Sequence, residues 1–154
     1  MIRPALEEDL DLIIFFIKSI AEYEKMSNEV VLDKEILRDY LFNKKIAKCK
    51  FILEDNKEVG FALYFYNFST FKGKAGLYLE DIFVLEEYRH KGYGKELFLD
   101  LVKEAKENNL GRMEWTCLKW NKPSIAFYER LKARAMSEWD TYRLDESQFD
   151  SLIK

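Results

Sequence analysis

Two stretches of this chain combine residue types and spacings that could do chemistry. The first is a pair of adjacent carboxylates, Glu80 and Asp81, inside the apolar run Tyr78-Leu-Glu-Asp-Ile-Phe-Val84. Aromatic, branched and large apolar residues around them predict a strand. Alternate strand residues face opposite ways, so at most one of the pair is expected in any one cleft. Glu80 is the candidate proton acceptor, since partial burial raises a carboxylate's pKa. Asp81 then falls on the other face, as a solvated or helix-capping acid. The second stretch is Arg89-x-x-Gly92-x-Gly94, which opens the helical spacing Leu97, Phe98, Leu101, Val102, Ala105. A glycine loop entering a helix presents free N–H groups and the positive end of the helix dipole, which together bind anions. Glycine lets a diphosphate approach the backbone, and Arg89 and Lys91 add charge-assisted hydrogen bonds. Two common nucleotide fingerprints fail here. The chain lacks the Gly-x-x-x-x-Gly-Lys-Ser/Thr of a P-loop, and Leu97 stands where a dinucleotide fold needs a third small residue.

The elements that must position these residues follow in order. Ile2-Arg-Pro-Ala5 predicts a short edge strand, and Leu10, Ile13, Ile14, Ile17, Ile20 and Ala21 an amphipathic helix ending near Tyr23-Glu-Lys-Met26. Asp33 caps a second helix whose Ile36, Leu37, Tyr40 and Leu41 share a face. The period then changes. Cys49–Leu53 and Val59–Tyr66 read as strands joined by a turn at Asp55-Asn-Lys57. After the central strand and helix, Asn108-Asn-Leu-Gly111 closes the helix. Arg112 to Leu118 predicts a strand, Pro123 opens a helix to about Leu131, and Tyr142-Arg-Leu144 predicts a last strand. Asp145-x-x-Gln148 is a capping box for a terminal helix. The alternation gives an α/β domain with a mixed sheet and helices on its faces, one domain over residues 1–154.

A net charge of −3 without a long basic run argues against a nucleic-acid partner and is compatible with an amine substrate. Cys49 and Cys117 lie far apart and there is one histidine, so no zinc spacing exists and no metal is expected. They read as reduced, buried, inert thiols, which fits a cytoplasmic protein. The longest early apolar run, Leu12 to Ile17, is too short to span a membrane, and Met1-Ile-Arg-Pro does not begin a signal peptide.

Arg89-x-x-Gly92-x-Gly94 resembles the Arg/Gln-x-x-Gly-x-Gly/Ala signature of the GNAT superfamily of acyl-CoA-dependent N-acetyltransferases. Trp120-Asn-Lys-Pro-Ser-Ile-Ala-Phe-Tyr128 resembles its Asn-x-x-Ser/Ala-x-x-Phe/Tyr-Tyr motif. Tyr78–Val84 and Tyr23-Glu24 resemble the diamine branch, that is, the spermidine/spermine enzymes and their thialysine-acetylating relatives. Ser69-Thr-Phe-Lys-Gly73 is closer to the thialysine side. The likeness covers nearly the whole chain and implies the GNAT fold, acetyl-CoA as co-substrate and a homodimer. It implies that Ile82, Phe83 and Val84 offer backbone groups to the pantetheine arm and thioester. His90, Lys91, Gly92, Tyr93, Gly94 and Lys95 would wrap the pyrophosphate, with Arg89 beside them. Asn121 and Ser124 would hold the pantetheine end, and Tyr128 would sit by the sulfur as the acid. Tyr23, Glu24 and Glu80 would line the amine site, joined by Glu114, Trp115, Thr116 and Asp140. Two positions depart from the pattern, with His90 and Lys132 standing where relatives carry glycine.

Each of these residues also has a plainer reading. Gly92 and Gly94 would suit an ordinary turn before a helix, and Glu80 a structural ion pair. Tyr128 would suit a packed ring, His90 a solvated loop position, and Tyr23-Glu24 a simple helix end. The function expected is acetyl transfer from acetyl-CoA to a primary amine of a diamine, polyamine or thialysine-like amino acid, by direct attack in a ternary complex. The alternatives are a protein N-terminal or lysine acetyltransferase and a non-catalytic module that senses acyl-CoA.

Overall fold

The computed structural model describes residues 1–153. Five strands form one sheet in the order β1-β2-β3-β4-β5. These are β1 (Ile2–Pro4), β2 (Lys48–Glu54), β3 (Lys57–Ser69), β4 (Lys74–Val84) and β5 (Met113–Glu114). The first four pair antiparallel and β4 pairs parallel with β5. This is the mixed, helix-flanked sheet the sequence predicts. The chain divides into two compact units, Met1–Thr116 and a second beginning at Cys117.

In the first unit, α1 (Leu10–Tyr23) packs on β3 and β4. Its Leu10, Ile13 and Phe16 join Cys49, Phe51, Leu53, Phe61 and Leu63 in one core. The opposite face carries α3 (Tyr93–Glu107), which buries Leu97, Phe98, Leu101 and Ala105 and packs on β2, β3 and β4. That face also holds a charged knot. Glu104 accepts from the Tyr64 and Tyr66 hydroxyls, each at 2.7 Å, and pairs with Lys50 Nζ at 2.8 Å. Burial would raise the Glu104 pKa, but these three donors outweigh it and hold the carboxyl at about 2.

Local signals explain most boundaries. Asp55 and Asn56 both take left-handed φ, as a two-residue hairpin turn between Glu54 and Lys57 requires. Asn109, at φ 54°, closes α3 with a Leu110 N–H bond to Ala105 O. The Asp33 side chain accepts from Glu35 N and Ile36 N at the start of α2 (Lys34–Arg38).

Three expectations are corrected. The chain after α2 continues as a wide turn over Asp39–Asn43, closed by Lys44 N donating to Asp39 O. The wider turn breaks the regular helical period, so Leu41 is buried while Ile36 and Tyr40, expected on its face, are exposed. β5 covers only Met113–Glu114, where Arg112 to Leu118 is expected. Its pairing with β4 ends at Tyr78↔Glu114, two residues before a bulge in β4 at Glu80, and bulged strands bend away from a neighbour. Tyr142–Leu144 is no strand: alternation alone does not make one without a partner ladder, and Tyr142 is 94% exposed.

The second unit contains α4 (Lys122–Arg130) and a short α5 (Phe149–Leu152). Pro123 lies in the first turn of α4, as predicted. The Gln148 side chain accepts from Asp145 N at 3.0 Å, the reciprocal bond of the expected capping box.

Candidate active site

The β4 bulge determines where the two carboxylates point. Strand partners that face each other directly share a side of the sheet. Leu79 pairs with Tyr64, whose hydroxyl reaches Glu104 of α3, so Leu79 lies on the α3 face. Asp81 pairs with Leu63 and Phe83 with Phe61, both in the core against α1. The register shifts between Leu63 and Tyr64, and Glu80 is the extra residue. One step from Leu79 brings Glu80 to the α1 face, and Asp81 is already there. Both acids therefore project to one side, which corrects the expectation that they part.

Glu80 is exposed and Asp81 half-buried, the reverse of the burial expected for the pair. Burial, then the charges of Glu80 and Glu24, push the Asp81 carboxyl up to about 7. Glu24, at the C-terminal cap of α1, is raised by burial and then by Glu80. The protein thus brings Glu24, Glu80 and Asp81 into one electrostatically coupled group. Strand alternation alone hides Asp81, because nothing in Leu79-Glu-Asp-Ile82 announces the bulge.

Tyr23 joins this group. Its ring lies 6.1 Å from that of Phe83, and the Arg89 guanidinium sits 4.8 Å above Tyr23 and 5.1 Å above Phe83. Arg89 Nε donates to Val84 O at 2.9 Å. Beyond Tyr78 no register pairs β4 with β5, so its edge from Leu79 to Val84 runs past the end of that ladder. The Val84 end is clamped to β3 through Gly60, where a Cβ would stand 2.7 Å from Phe83 O.

Next comes the anion loop. Gly92 caps α3 with φ 88°, a left-handed conformation that suits glycine, and a Cβ there would meet nothing within 4 Å. Glu96 N is the first to bond back into the helix, to Gly92 O, which leaves the N–H groups of Tyr93, Gly94 and Lys95 for an anion. His90 carries its side chain at φ 63°, a left-handed position that favours glycine. Lys91 Nζ and Tyr93 OH both reach Glu54 Oε1, at 2.9 and 2.7 Å. Those two donors hold the Glu54 carboxyl below its ordinary range. Glu54 is a second residue that sequence reasoning missed; it ends β2, remote in sequence from the loop it steadies.

Of the weaker acceptor-site candidates, Glu114 pairs with Arg112 at 3.0 Å. Trp115 stands edge-on to Phe98 of α3 with ring centroids 5.1 Å apart, and Thr116 is exposed. In the second unit, the buried Asn121 side chain caps α4 by accepting from Ser124 N. Tyr128 lies half-buried in the last turns of α4, and Asp140 is exposed.

Residues 17–132 match the acetyltransferase (GNAT) family. The chain is 34% identical over 157 residues to a thialysine N-epsilon-acetyltransferase of Bos taurus, covering 94% of this chain and 92% of that protein. It is 40% identical over 102 residues to an L-ornithine N5-acetyltransferase of Arabidopsis thaliana, a match to 66% of this chain and 45% of that protein. Among solved structures, an integron cassette protein from the mobile metagenome of V. cholerae superposes with a TM-score of 0.81 at 27% identity. That match covers 100% of this chain and 97% of the other.

Proposed function

The chain belongs to the acetyltransferase (GNAT) family, and we propose that it moves acetyl from acetyl-CoA to a primary amine of a small cation. A diamine, a polyamine or a thialysine-like amino acid is the acceptor class, and attack is direct, within a ternary complex. The observation that carries this reading is the gathering of Glu24, Glu80 and Asp81 on the α1 face of β4, against the strand that carries Ile82–Val84. Three carboxylates that repel one another are relieved by a cation. The relatives named for thialysine and ornithine support the same acceptor chemistry.

The co-substrate fits the described residues. Tyr93, Gly94 and Lys95 offer N–H groups to the pyrophosphate, and the space at Gly92 admits it close to the backbone. Lys91 would trade its bond to Glu54 for phosphate oxygen. The edge of β4 from Ile82 to Val84 would take the pantetheine amides as an added strand, and Asn121 and Ser124 keep the pantetheine-holding role that the resemblance implies.

The reaction begins with a proton. An alkyl ammonium of pKa ~10.4 is neutral in only a few of about ten thousand molecules at pH 7, a cost of about 4.6 kcal/mol. Glu80 takes that proton, directly or through water, and exposure at the bulge gives it access to both. Asp81 sets the charge behind it. The amine attacks the thioester carbonyl while a β4 N–H near Phe83 or Val84 stabilises the oxyanion. The C–S bond then breaks: the adduct nitrogen gives up its extra proton to leave a neutral amide, and coenzyme A departs as a thiolate that takes up one proton to become the thiol. Tyr128 stabilises the departing sulfur by donating a hydrogen bond, since a phenol near 10 is a weaker acid than a thiol near 8.5. Holding both reactants together supplies up to ~7–11 kcal/mol in favourable cases.

Residues 1–154 would act as one acetyltransferase domain, homodimeric as the resemblance implies and placed in the cytoplasm. Cys49 and Cys117, both unbridged, accord with a reducing compartment. The deciding experiment is thiol release from acetyl-CoA with putrescine, spermidine, thialysine, lysine, ornithine and a short peptide, with Tyr128→Phe and Glu80→Gln alongside. Turnover on a small amine, lowered by about 10²-fold in each variant, is expected. Turnover on the peptide alone would move the acceptor to proteins, and tight acetyl-CoA binding without any turnover would favour a sensing module.

A further inference from the structure

Arg89 belongs to the glycine-loop signature, yet its contacts run the other way. Its Nε donates to the carbonyl of Val84, the last residue of β4. Its guanidinium plane lies over two rings, Tyr23 at the end of α1 and Phe83 on β4. Those rings approach each other at 6.1 Å, so the cation closes an arrangement of three groups from three separate segments. Arginine suits this task because its planar, weakly hydrated cation stacks on aromatic faces while an N–H of the same group bonds a carbonyl.

The consequence lies in what Tyr23 precedes. Glu24, one residue on, sits close enough to Glu80 for their charges to interact. The turn that follows carries the helix-end bonds Glu24 N to Ile20 O, Lys25 N to Glu22 O and Met26 N to Ala21 O. Lys25 holds a left-handed φ of 60° at the end of that turn. Arg89 is three residues before Gly92, so the loop that would bind pyrophosphate and the turn that carries Glu24 share one connecting side chain.

We infer that Arg89 is a positioning residue for the acceptor: it fastens the Tyr23-Glu24 turn to the end of β4 instead of serving as a phosphate ligand. This rests on the reading above that Tyr23 and Glu24 line the amine site. Arg89→Lys keeps the charge and loses the planar stack with its Nε–H. The amine KM of this variant is expected to rise by at least about tenfold, as small misplacements of binding groups do. Acetyl-CoA affinity, titrated calorimetrically without amine, should stay within about twofold of wild type, the limit of independence between separate sites. Amide hydrogen exchange at Glu24, Lys25 and Met26 should speed up while that at the start of α3 does not. In a Tyr23→Ala background, Arg89→Lys should add no further rise in KM.

Several results would overturn the inference. A loss of acetyl-CoA affinity with amine KM unchanged would make Arg89 a phosphate ligand. Unaltered exchange at Glu24–Met26 would remove the fastening, and additive effects with Tyr23→Ala would separate the two residues. The exchange measurement needs no turnover. If wild type acetylates none of the amines, the acceptor assignment fails, and exchange still decides whether Arg89 holds the turn.

Discussion

Glu80 and Asp81 are neighbours in sequence and project to the same face of the sheet, because β4 bulges between Leu79, opposite Tyr64, and Asp81, opposite Leu63. Adjacent strand residues ordinarily part, so a single extra residue turns two separate acids into one coupled pair. Glu24, at the C-terminal cap of α1, completes the group from outside the strand. The raised Asp81 carboxyl is the property most open to measurement.

With Asp81 raised to about 7, the site gains negative charge as pH rises through neutrality. The acidic limb of the amine kcat/KM profile is therefore expected near pH 7, with activity rising above it. Glu80→Gln removes the second-largest cause of the shift, after burial, and should move that limb to lower pH. Asp81→Asn should abolish it and raise amine KM. A limb that stays near pH 7 in Asp81→Asn would assign it to another group.

The same residue predicts a stability effect of definite sign. The folded pKa of Asp81 lies above its ordinary 3.8. Its contribution is fully present below the unfolded value and is lost as pH rises through about 7. The gap corresponds to at most about 4 kcal/mol, and partial solvation reduces it. Asp81→Asn should be more stable than wild type at pH 8, by about 1–2 kcal/mol, and nearly equal to it at pH 4. Urea melts at both values would check this. An equal difference at pH 4 and pH 8 would show that charge is not the cause.

The parts of the chain governed by local rules were legible in the sequence. The stripe of α1, the Asp33 cap, the Asp55-Asn56 turn, the Gly92 loop and the Asp145/Gln148 box all rest on nearest neighbours, and all are present. What escaped depends on pairing. The bulge at Glu80 exists only relative to Leu63 and Tyr64 of β3, and the truncation of β5 only relative to that bulge. Glu54 reached the glycine loop through a strand whose register the sequence does not state. Tyr142–Leu144 had strand residues but no ladder to join.

Glu104 carries the opposite sign from Asp81. Held at about 2 by Lys50, Tyr64 and Tyr66 despite burial, it stabilises the fold above the unfolded pKa of 4.5, and this is lost as pH falls through about 2. Glu104→Gln should cost about 2–3 kcal/mol at pH 7, because it takes one carboxylate from Lys50 and leaves it Asp100 at 2.7 Å. The difference from wild type should shrink steadily between pH 5 and pH 2. Denaturant titrations across that range would show it, and a loss independent of pH would assign the effect to packing.

Lys132 offers a test in the second unit. It occupies the left-handed position that ends α4, at φ 66°, with Lys132 N bonded to Glu129 O and Ala133 N to Tyr128 O. That bond pattern is a Schellman motif, whose left-handed residue is usually glycine because a Cβ there crowds the backbone. Lys132→Gly should therefore stabilise α4 by roughly 1 kcal/mol, less a few tenths for the freer unfolded chain. Lys132→Ala keeps the Cβ and should give no such gain. The comparison isolates backbone strain from the loss of the lysine charge, since both variants remove that charge. A rise in melting temperature common to both would point to the charge, and a rise confined to glycine would locate the strain at this φ.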